Sequence, residues 1–209
     1  MKSSYCLLFF LLCISQAFGQ GKWELRKDQN GIQVFTRKAA RGNIKELRVL
    51  CELDATEAQL INTLVNIGGY NSWVYSNKKS VILKTIDQLN IIYYTESHLP
   101  WPIKDRDLIV ELNIASAGSG LNIQAKSIPD YLPKNTDYVR VPYSLATWHV
   151  TPVTGNKLKV DYTFSVDPGG SIPVWLVNAT MTIGPYNSFL KLKDMLRSEQ
   201  QPVLRSAGQ

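Results

Sequence analysis

The chain has 209 residues, of which 44% are hydrophobic, and a formal net charge of +6 at pH 7. A chain of this length buries enough apolar surface to fold without disulfides or a structural metal. Its basic residues are spread along the sequence instead of clustering with exposed aromatic residues, which disfavours a nucleic-acid-binding protein.

The first 19 residues are typical of a secretory signal peptide. Lys2 supplies a basic start, residues 5–14 form an apolar run, and residues 17–19 (AFG) place small residues at a cleavage site. We therefore predict a signal peptide over 1–19 and one domain over 20–209, exported to the periplasm or secreted.

Two membrane-anchored alternatives remain open. The apolar run is short for a spanning helix, which needs roughly 20 residues, but an uncleaved anchor would keep it. A lipoprotein would use Cys13 as its acceptor, although Leu12 stands where a small residue is expected. After cleavage the single remaining cysteine is Cys51, so no internal disulfide can form.

Alternation of apolar and polar residues predicts several β-strands with one buried and one solvated face. The clearest segments are 47–53, 108–114 and 158–166, with weaker ones at 32–36, 89–97 and 121–125. One-sided strands of this kind indicate an antiparallel sheet.

A first helix is predicted after residue 55. Thr56 and Gln59 have the spacing of a capping box, in which each side chain bonds the other's backbone amide. An apolar stripe follows over residues 60–65, and Gly68-Gly69 is expected to end the helix.

A long C-terminal helix is predicted from Ser171, as the N-cap, to about Leu196. Between residues 172 and 183 its apolar residues surround nearly the whole helix, which predicts cover on more than one side. Gly184-Pro185 is expected to bend it. A sheet wrapped around such a helix encloses either a solid core or an apolar pocket, and periodicity alone leaves both open.

Several motifs, in order along the chain, resemble the START lipid-transfer family. They are residues 99–109 (LPWPIKDRDLI), Tyr131 with residues 139–140 (VR), residues 147–152 (TWHVTP) and residues 167–178 (DPGGSIPVWLVN). Trp73 also fits the tryptophan that follows the family's first helix, and the resemblance extends from about residue 23 to 197. It implies an α+β helix-grip fold of the START/Bet v 1-like type, in which a curved antiparallel sheet surrounds a long C-terminal helix.

The resemblance also implies a function, namely binding and transfer of a lipid, phospholipid or sterol-like molecule in an internal cavity. The C-terminal helix would be a gate over that cavity. Sterol-binding members carry an arginine paired with an acidic residue, but Leu112 stands at the position aligned with that arginine, so ligand identity stays open. The implied partners are an apolar small molecule and, transiently, a membrane surface, with the protein a monomer and no cofactor or metal.

We predict that inward-facing residues of the sheet and helix line the cavity. The wall residues are Tyr93, Leu108, Val110, Leu112, Tyr162 and Phe164, and the lid residues are Val177, Met181 and Phe189. The hydroxyls of Tyr93 and Tyr162 are the best candidates to contact a polar group of the ligand, because a buried phenol requires a partner.

Enzymatic chemistry is disfavoured by the sequence. His98 and His149 are far apart, and Ser144 lies five residues from His149 on a predicted strand, so the two would point to opposite faces. Arg106 and Asp107, adjacent on a strand, are interpreted as surface contacts at its start. Two alternatives remain: a cyclase-like or hydrolase-like enzyme of the same superfamily acting on a small aromatic substrate, and an interaction module with a vestigial pocket.

Overall fold

The computed structural model describes residues 21–39 and 43–200, and the predicted signal peptide lies outside them. Strands dominate this part of the chain. They are β1 (Glu24–Gln29), β2 (Ile32–Arg37), β3 (Glu46–Asp54), β4 (Asn77–Thr85), β5 (Asn90–Ser97), β6 (Arg106–Ala117), β7 (Gly120–Ser127), β8 (Val139–Arg140), β9 (Tyr143–Val153) and β10 (Lys157–Asp167). The α-helices are α1 (Glu57–Val65), α2 (Tyr70–Trp73), α3 (Val174–Thr180) and α4 (Ile183–Gln200), with a 3₁₀ turn over Ile67–Gly69.

Nine of the strands form one antiparallel sheet in the order β1-β2-β3-β10-β9-β7-β6-β5-β4, and β8 pairs in parallel with the start of β6. The sheet and the long C-terminal α4 confirm the predicted helix-grip architecture. Its edges are β1 and β4. Two irregularities interrupt the pairing of β4 with β5, and β4 carries Lys78, Lys79 and Lys84.

The inner face of the sheet, defined as the face that α4 covers, carries apolar residues aligned in rows across the strands. The tyrosine row consists of Val34, Val49, Tyr162, Trp148, Ile123 and Ile114. The alanine row, one step along, consists of Leu47, Phe164, Ala146, Ala125, Leu112 and Ile91. The alternation in the sequence placed these side chains together, because successive strand residues point to opposite faces.

Helix α4 covers the tyrosine row. Its Phe189 ring lies 4.9 Å from the Trp148 ring and 5.1 Å from the Tyr162 ring, centroid to centroid. Leu192 and Leu196, one and two turns further on, are fully buried. The one-sided apolar stripe predicted for this half of the C-terminal helix is therefore confirmed.

The capping box of α1 is also confirmed. The Thr56 amide donates to Gln59 Oε1 at 2.9 Å, and the Gln59 amide donates to Thr56 Oγ1 at 3.3 Å. The helix ends at Val65, and the chain continues through the 3₁₀ turn, which contains both predicted stop glycines.

The C-terminal helix differs from its prediction at two points. It begins after Pro173 and not after Ser171, with no side-chain cap, and it is interrupted between α3 and α4 at residues 181–182, before Gly184-Pro185. Pro185 falls in the first turn of α4, where a missing N–H has no intrahelical acceptor to leave unpaired. Pro185 is therefore compatible with α4, and the interruption lies before it in the chain.

The interpretation of Arg106 and Asp107 as surface contacts is wrong, since they are 4% and 0% exposed. Asp107 accepts two hydrogen bonds from Arg140, at 3.0 and 2.8 Å, on the outer side of the sheet. Arg140 also donates to backbone carbonyls of the segment 129–133. This buried ion pair fixes the β7–β8 connection to the sheet.

Candidate functional site

The inner face is covered unevenly, and the less covered part is the candidate site. Leu47, Leu112 and Ile91, at the ends of the alanine row, are buried. Between them, Phe164, Ala146 and Ala125 are only half-buried although they point to the inner side. Helix α4 thus closes one half of the inner face and leaves the middle of the alanine row open.

The middle of the alanine row is lower than its ends because its side chains are small. Ala125 on β7 and Ala146 on β9 are directly paired, with Leu112 and Phe164 as their neighbours on β6 and β10. Two small side chains side by side make a depression two strands wide, or roughly 10 Å at the usual strand spacing. Its floor is apolar, as are the sides formed by Leu112, Phe164 and the tyrosine row, whereas the buried Ser127 and Ser144 border the remaining side.

Two phenols lie on the same inner face: Tyr162 pairs with Trp148 in the tyrosine row, and Tyr93 lies on β5, two strands from Ala125. The Tyr93 ring contacts the Tyr70 ring edge to face, with centroids 5.5 Å apart, and Tyr162 packs in the same way on Trp148 at 5.0 Å. Tyr70 donates its hydroxyl to the Leu64 carbonyl at 2.7 Å. Burial raises the pKa of Tyr93 and of Tyr162 above the ordinary phenol value. Both hydroxyls therefore stay protonated near neutral pH and are hydrogen-bond donors rather than bases.

Helix α3 lies at the side of the inner face that α4 leaves open, and it is weakly held. None of its residues is buried, and Trp175 is 69% exposed. One side chain attaches it to the β2–β3 connection: Asn178 accepts from the Lys45 amide at 2.9 Å and donates to the Asn43 carbonyl at 3.1 Å. The expectation that the apolar residues 172–183 are covered on more than one side is therefore wrong for the described residues.

The segment before α3 is held by a buried arginine. Arg106 donates from Nη2 to the Gly169 carbonyl at 3.0 Å, from Nε to the Pro168 carbonyl at 3.3 Å, and from Nη1 to the Lys104 carbonyl. It thereby joins the start of α3 to the loop that carries Trp101, which is 91% exposed. Two exposed tryptophans consequently flank one end of the sheet.

The nine predicted cavity residues divide by burial. Tyr93, Val110, Leu112 and Phe189 are buried in the core; Leu108, Tyr162, Phe164 and Met181 are partly buried against it; and Val177 is half-buried on α3. Leu112 lies between Ile91 and Ala125, so the sterol-type charge pair has no counterpart at this position. Their contact with a ligand stays a prediction.

Two surface clefts lie elsewhere. One of about 180 Å³ is bordered by α1, α2 and α4, including Asn62, Trp73 and Met195. The other, of about 460 Å³, lies between the start of α1 and the β9–β10 turn. Neither adjoins the alanine row, so the volume of the predicted cavity also stays a prediction.

Sequence reasoning missed the alanine pair. Ala125 stood in a weak alternating segment, and Ala146 lay on the strand predicted to carry Ser144 and His149, but the two were not recognised as neighbours. The signal was available in the alternation of Ser144, Ala146, Trp148 and Val150 within β9, which all point to the inner face.

The catalytic candidates are separated, as predicted. Ser144 is buried on the inner side, while His149 is exposed and pairs with Asn122 at 2.6 Å. His98 lies 3.0 Å from Asp105 on the surface. Within residues 21–39 and 43–200, no three His, Cys, Asp or Glu residues are grouped as a metal site, and no helix has the length and apolarity to cross a bilayer.

The START domain family model matches residues 16–197. A STAR-related lipid transfer protein fragment from Xanthomonas axonopodis has a crystal structure that matches 84% of this chain and 98% of its own, at 30% identity and a TM-score of 0.78. An uncharacterised protein of Pseudomonas aeruginosa is 26% identical over 172 residues, which are 82% of this chain and 85% of that protein. The Zhui aromatase/cyclase of a Streptomyces species shares the fold at 12% identity, with a TM-score of 0.53 over 78% of this chain and 97% of its own.

Proposed function

Because the chain belongs to the START domain family, we propose that it carries a lipid or a similar apolar molecule on the inner face of its sheet, without chemical conversion. The observation that carries this proposal is the open middle of the alanine row. Apolar residues that point inward, away from the outer surface, are only half-buried there. Apolar surface left open to water is stabilised when an apolar molecule covers it.

The free energy gained by burying apolar surface is sufficient for a lipid carrier. Burial of about 400 Å² of lipid surface at about 25 cal/mol per Å² contributes on the order of 10 kcal/mol, before the costs of association. The Tyr93 and Tyr162 hydroxyls, protonated and on the same inner face, would donate to an oxygen of the ligand. The remaining predicted wall and lid residues would contact its apolar part.

Chemistry on an aromatic substrate, the alternative, has little support from the inner face. A cyclase or hydrolase needs a general base near the substrate. Burial raises the pKa of the Tyr93 and Tyr162 phenols, so both stay protonated near neutral pH and supply no base, and the two histidines lie on the surface. The resemblance to the Streptomyces enzyme is one of fold.

We also propose that the end bearing Trp101 and Trp175 contacts membranes during loading and release. Exposed tryptophans favour the interface between water and lipid, where the ring is partly buried and its N–H stays solvated. The positive net charge would add attraction to anionic lipids. Export by residues 1–19 would place this exchange outside the cytoplasm.

The test is native mass spectrometry of residues 20–209 purified without detergent, followed by transfer of fluorescent lipid between vesicles. We expect a co-purifying lipid, or uptake of one from vesicles. A ligand-free protein that takes up neither phospholipid, fatty acid nor sterol would instead support an interaction module. Turnover of an aromatic polyketide-like compound would support the enzyme.

A further inference from the structure

We infer that Ala125 and Ala146 determine which ligands the protein accepts, by setting the width of the apolar depression. This inference rests on the proposed function. The two residues form a direct cross-strand pair. They are the small members of a row whose other residues are leucine, isoleucine and phenylalanine.

Their exposure distinguishes them from alanines that simply fill a core. Ala55 is fully buried, as expected of a small residue in a close-packed interior. Ala125 and Ala146 point to the inner side and yet are only half-buried. The space above the pair is therefore not completely filled by α3 or α4.

The neighbouring tyrosine row limits this space on one side. Its residues on β7 and β9 are Ile123 and Trp148, both buried, and the Trp148 ring packs on Phe189 of α4. Larger residues at positions 125 and 146 would raise the floor to that height. Two adjacent strands with low side chains leave room for an apolar group wider than one acyl chain.

The inference predicts a change in ligand width after filling the depression. In A146L and A125L the added isobutyl group occupies the open space, so a phosphatidylcholine with two long acyl chains should bind about tenfold more weakly or worse. Stearic acid, a single chain, should lose less affinity. Each probe carries the same nitrobenzoxadiazole label, and binding is followed by its fluorescence.

Thermal unfolding without ligand supplies an independent measurement. Leucine placed in open space buries new apolar surface, which should raise the melting temperature by about 2–4 °C. Leucine placed in a packed interior is overpacked and lowers it. A55L is the control for a packed site, and Q124L places a leucine at the preceding residue of β7, where Gln124 is exposed on the outer face.

The inference is overturned if A146L and A125L melt below the wild type, as A55L should, because the alanines would then belong to a solid core. It is also overturned if they melt higher but bind the two-chain lipid like Q124L. Failure of the wild type to bind either probe would refute both the proposed function and the inference that the two alanines set the width of the ligand. The melting temperatures would still establish whether the space above the alanines is open.

Discussion

At the scale of single residues, Cys51 illustrates how burial controls reactivity. Its thiol lies on the inner face of β3, and burial raises its pKa from 9.0 to about 12, with nearby Lys193 opposing part of that shift. The thiolate is the reactive form, so the folded protein holds this cysteine inert. This agrees with the sequence, which placed Cys51 among the buried residues of an alternating strand.

Ellman's reagent should therefore not react with the native protein at pH 8, and should react with one thiol of residues 20–209 in denaturant. Stability should also depend on pH in a defined window. The unfolded thiol releases its proton near pH 9 whereas the folded one keeps it to about pH 12, so the free energy of unfolding falls as pH rises between these values. C51V should lack this pH dependence when its free energy of unfolding is measured with urea. Rapid reaction of Ellman's reagent with the native protein would contradict the assignment of Cys51 as a buried, inert thiol.

The ion pair of Asp107 and Arg140 is a residue-scale feature that alternation could not reveal. Alternation predicted that Asp107 lies on the face of β6 opposite to Leu108, which is correct. It gave no sign that the segment 128–138 covers that face, because this segment is irregular and pairs through side chain to backbone contacts.

Removal of one partner should be costly, because the other charge would stay buried and unpaired. We expect R140M to lose about 3–5 kcal/mol in the free energy of unfolding, measured with urea. The double variant D107L/R140M should recover much of this loss, since apolar side chains of similar volume often replace a buried pair without penalty. Equal destabilisation in both variants would assign the effect to the carbonyl contacts of Arg140 instead.

At the scale of elements, α3 and α4 differ more than a single predicted helix suggests. Helix α4 has its stripe buried against the sheet, whereas α3 is attached mainly at its ends and through Asn178. Hydrophobicity around the whole helix predicted burial, which the α4 residues show and the α3 residues do not. Proline placement indicated an interruption and missed its position by a few residues.

The Asn178 contacts should keep α3 closed on the sheet. N178A removes both hydrogen bonds to the β2–β3 connection, so amide hydrogen exchange in α3 should accelerate by roughly fivefold or more while exchange in α4 is unchanged. N178D keeps the acceptor for the Lys45 amide and should be intermediate. T180A is the matched control, since the Thr180 hydroxyl bonds only within its own helix, to the Leu176 carbonyl at 2.9 Å. Equal exchange in N178A and T180A would show that other contacts hold the helix.

At the scale of the whole molecule, the family resemblance and the alternating strands were sufficient to predict the helix-grip architecture. Local patterns fix which side of each strand is buried, and the START-like motifs supply the order of elements. The candidate site was predictable only in part. Rows across the sheet depend on the register between strands distant in sequence, so the alanine pair emerges only when β7 and β9 are aligned.

The proposed membrane-facing end can be tested on the intact chain. We expect W101A/W175A to bind vesicles containing anionic lipid several-fold more weakly than the wild type in a sedimentation assay, because two interfacial anchors are lost. I86A is the control, since Ile86 is 52% exposed in the β4–β5 turn, at the opposite end of the strands. A similar loss in I86A, or no loss in the double tryptophan variant, would contradict this orientation.

The β4 edge has a consequence for how copies of the protein meet. A strand with unpaired amide and carbonyl groups can recruit a strand from another molecule, and that route leads to aggregation. On β4 the two register irregularities distort the ladder of available groups, and the lysine ammonium groups would have to approach those of the second copy. The β4 edge therefore discourages intermolecular strand pairing, so the sheet is not readily extended from this side by a strand of another copy.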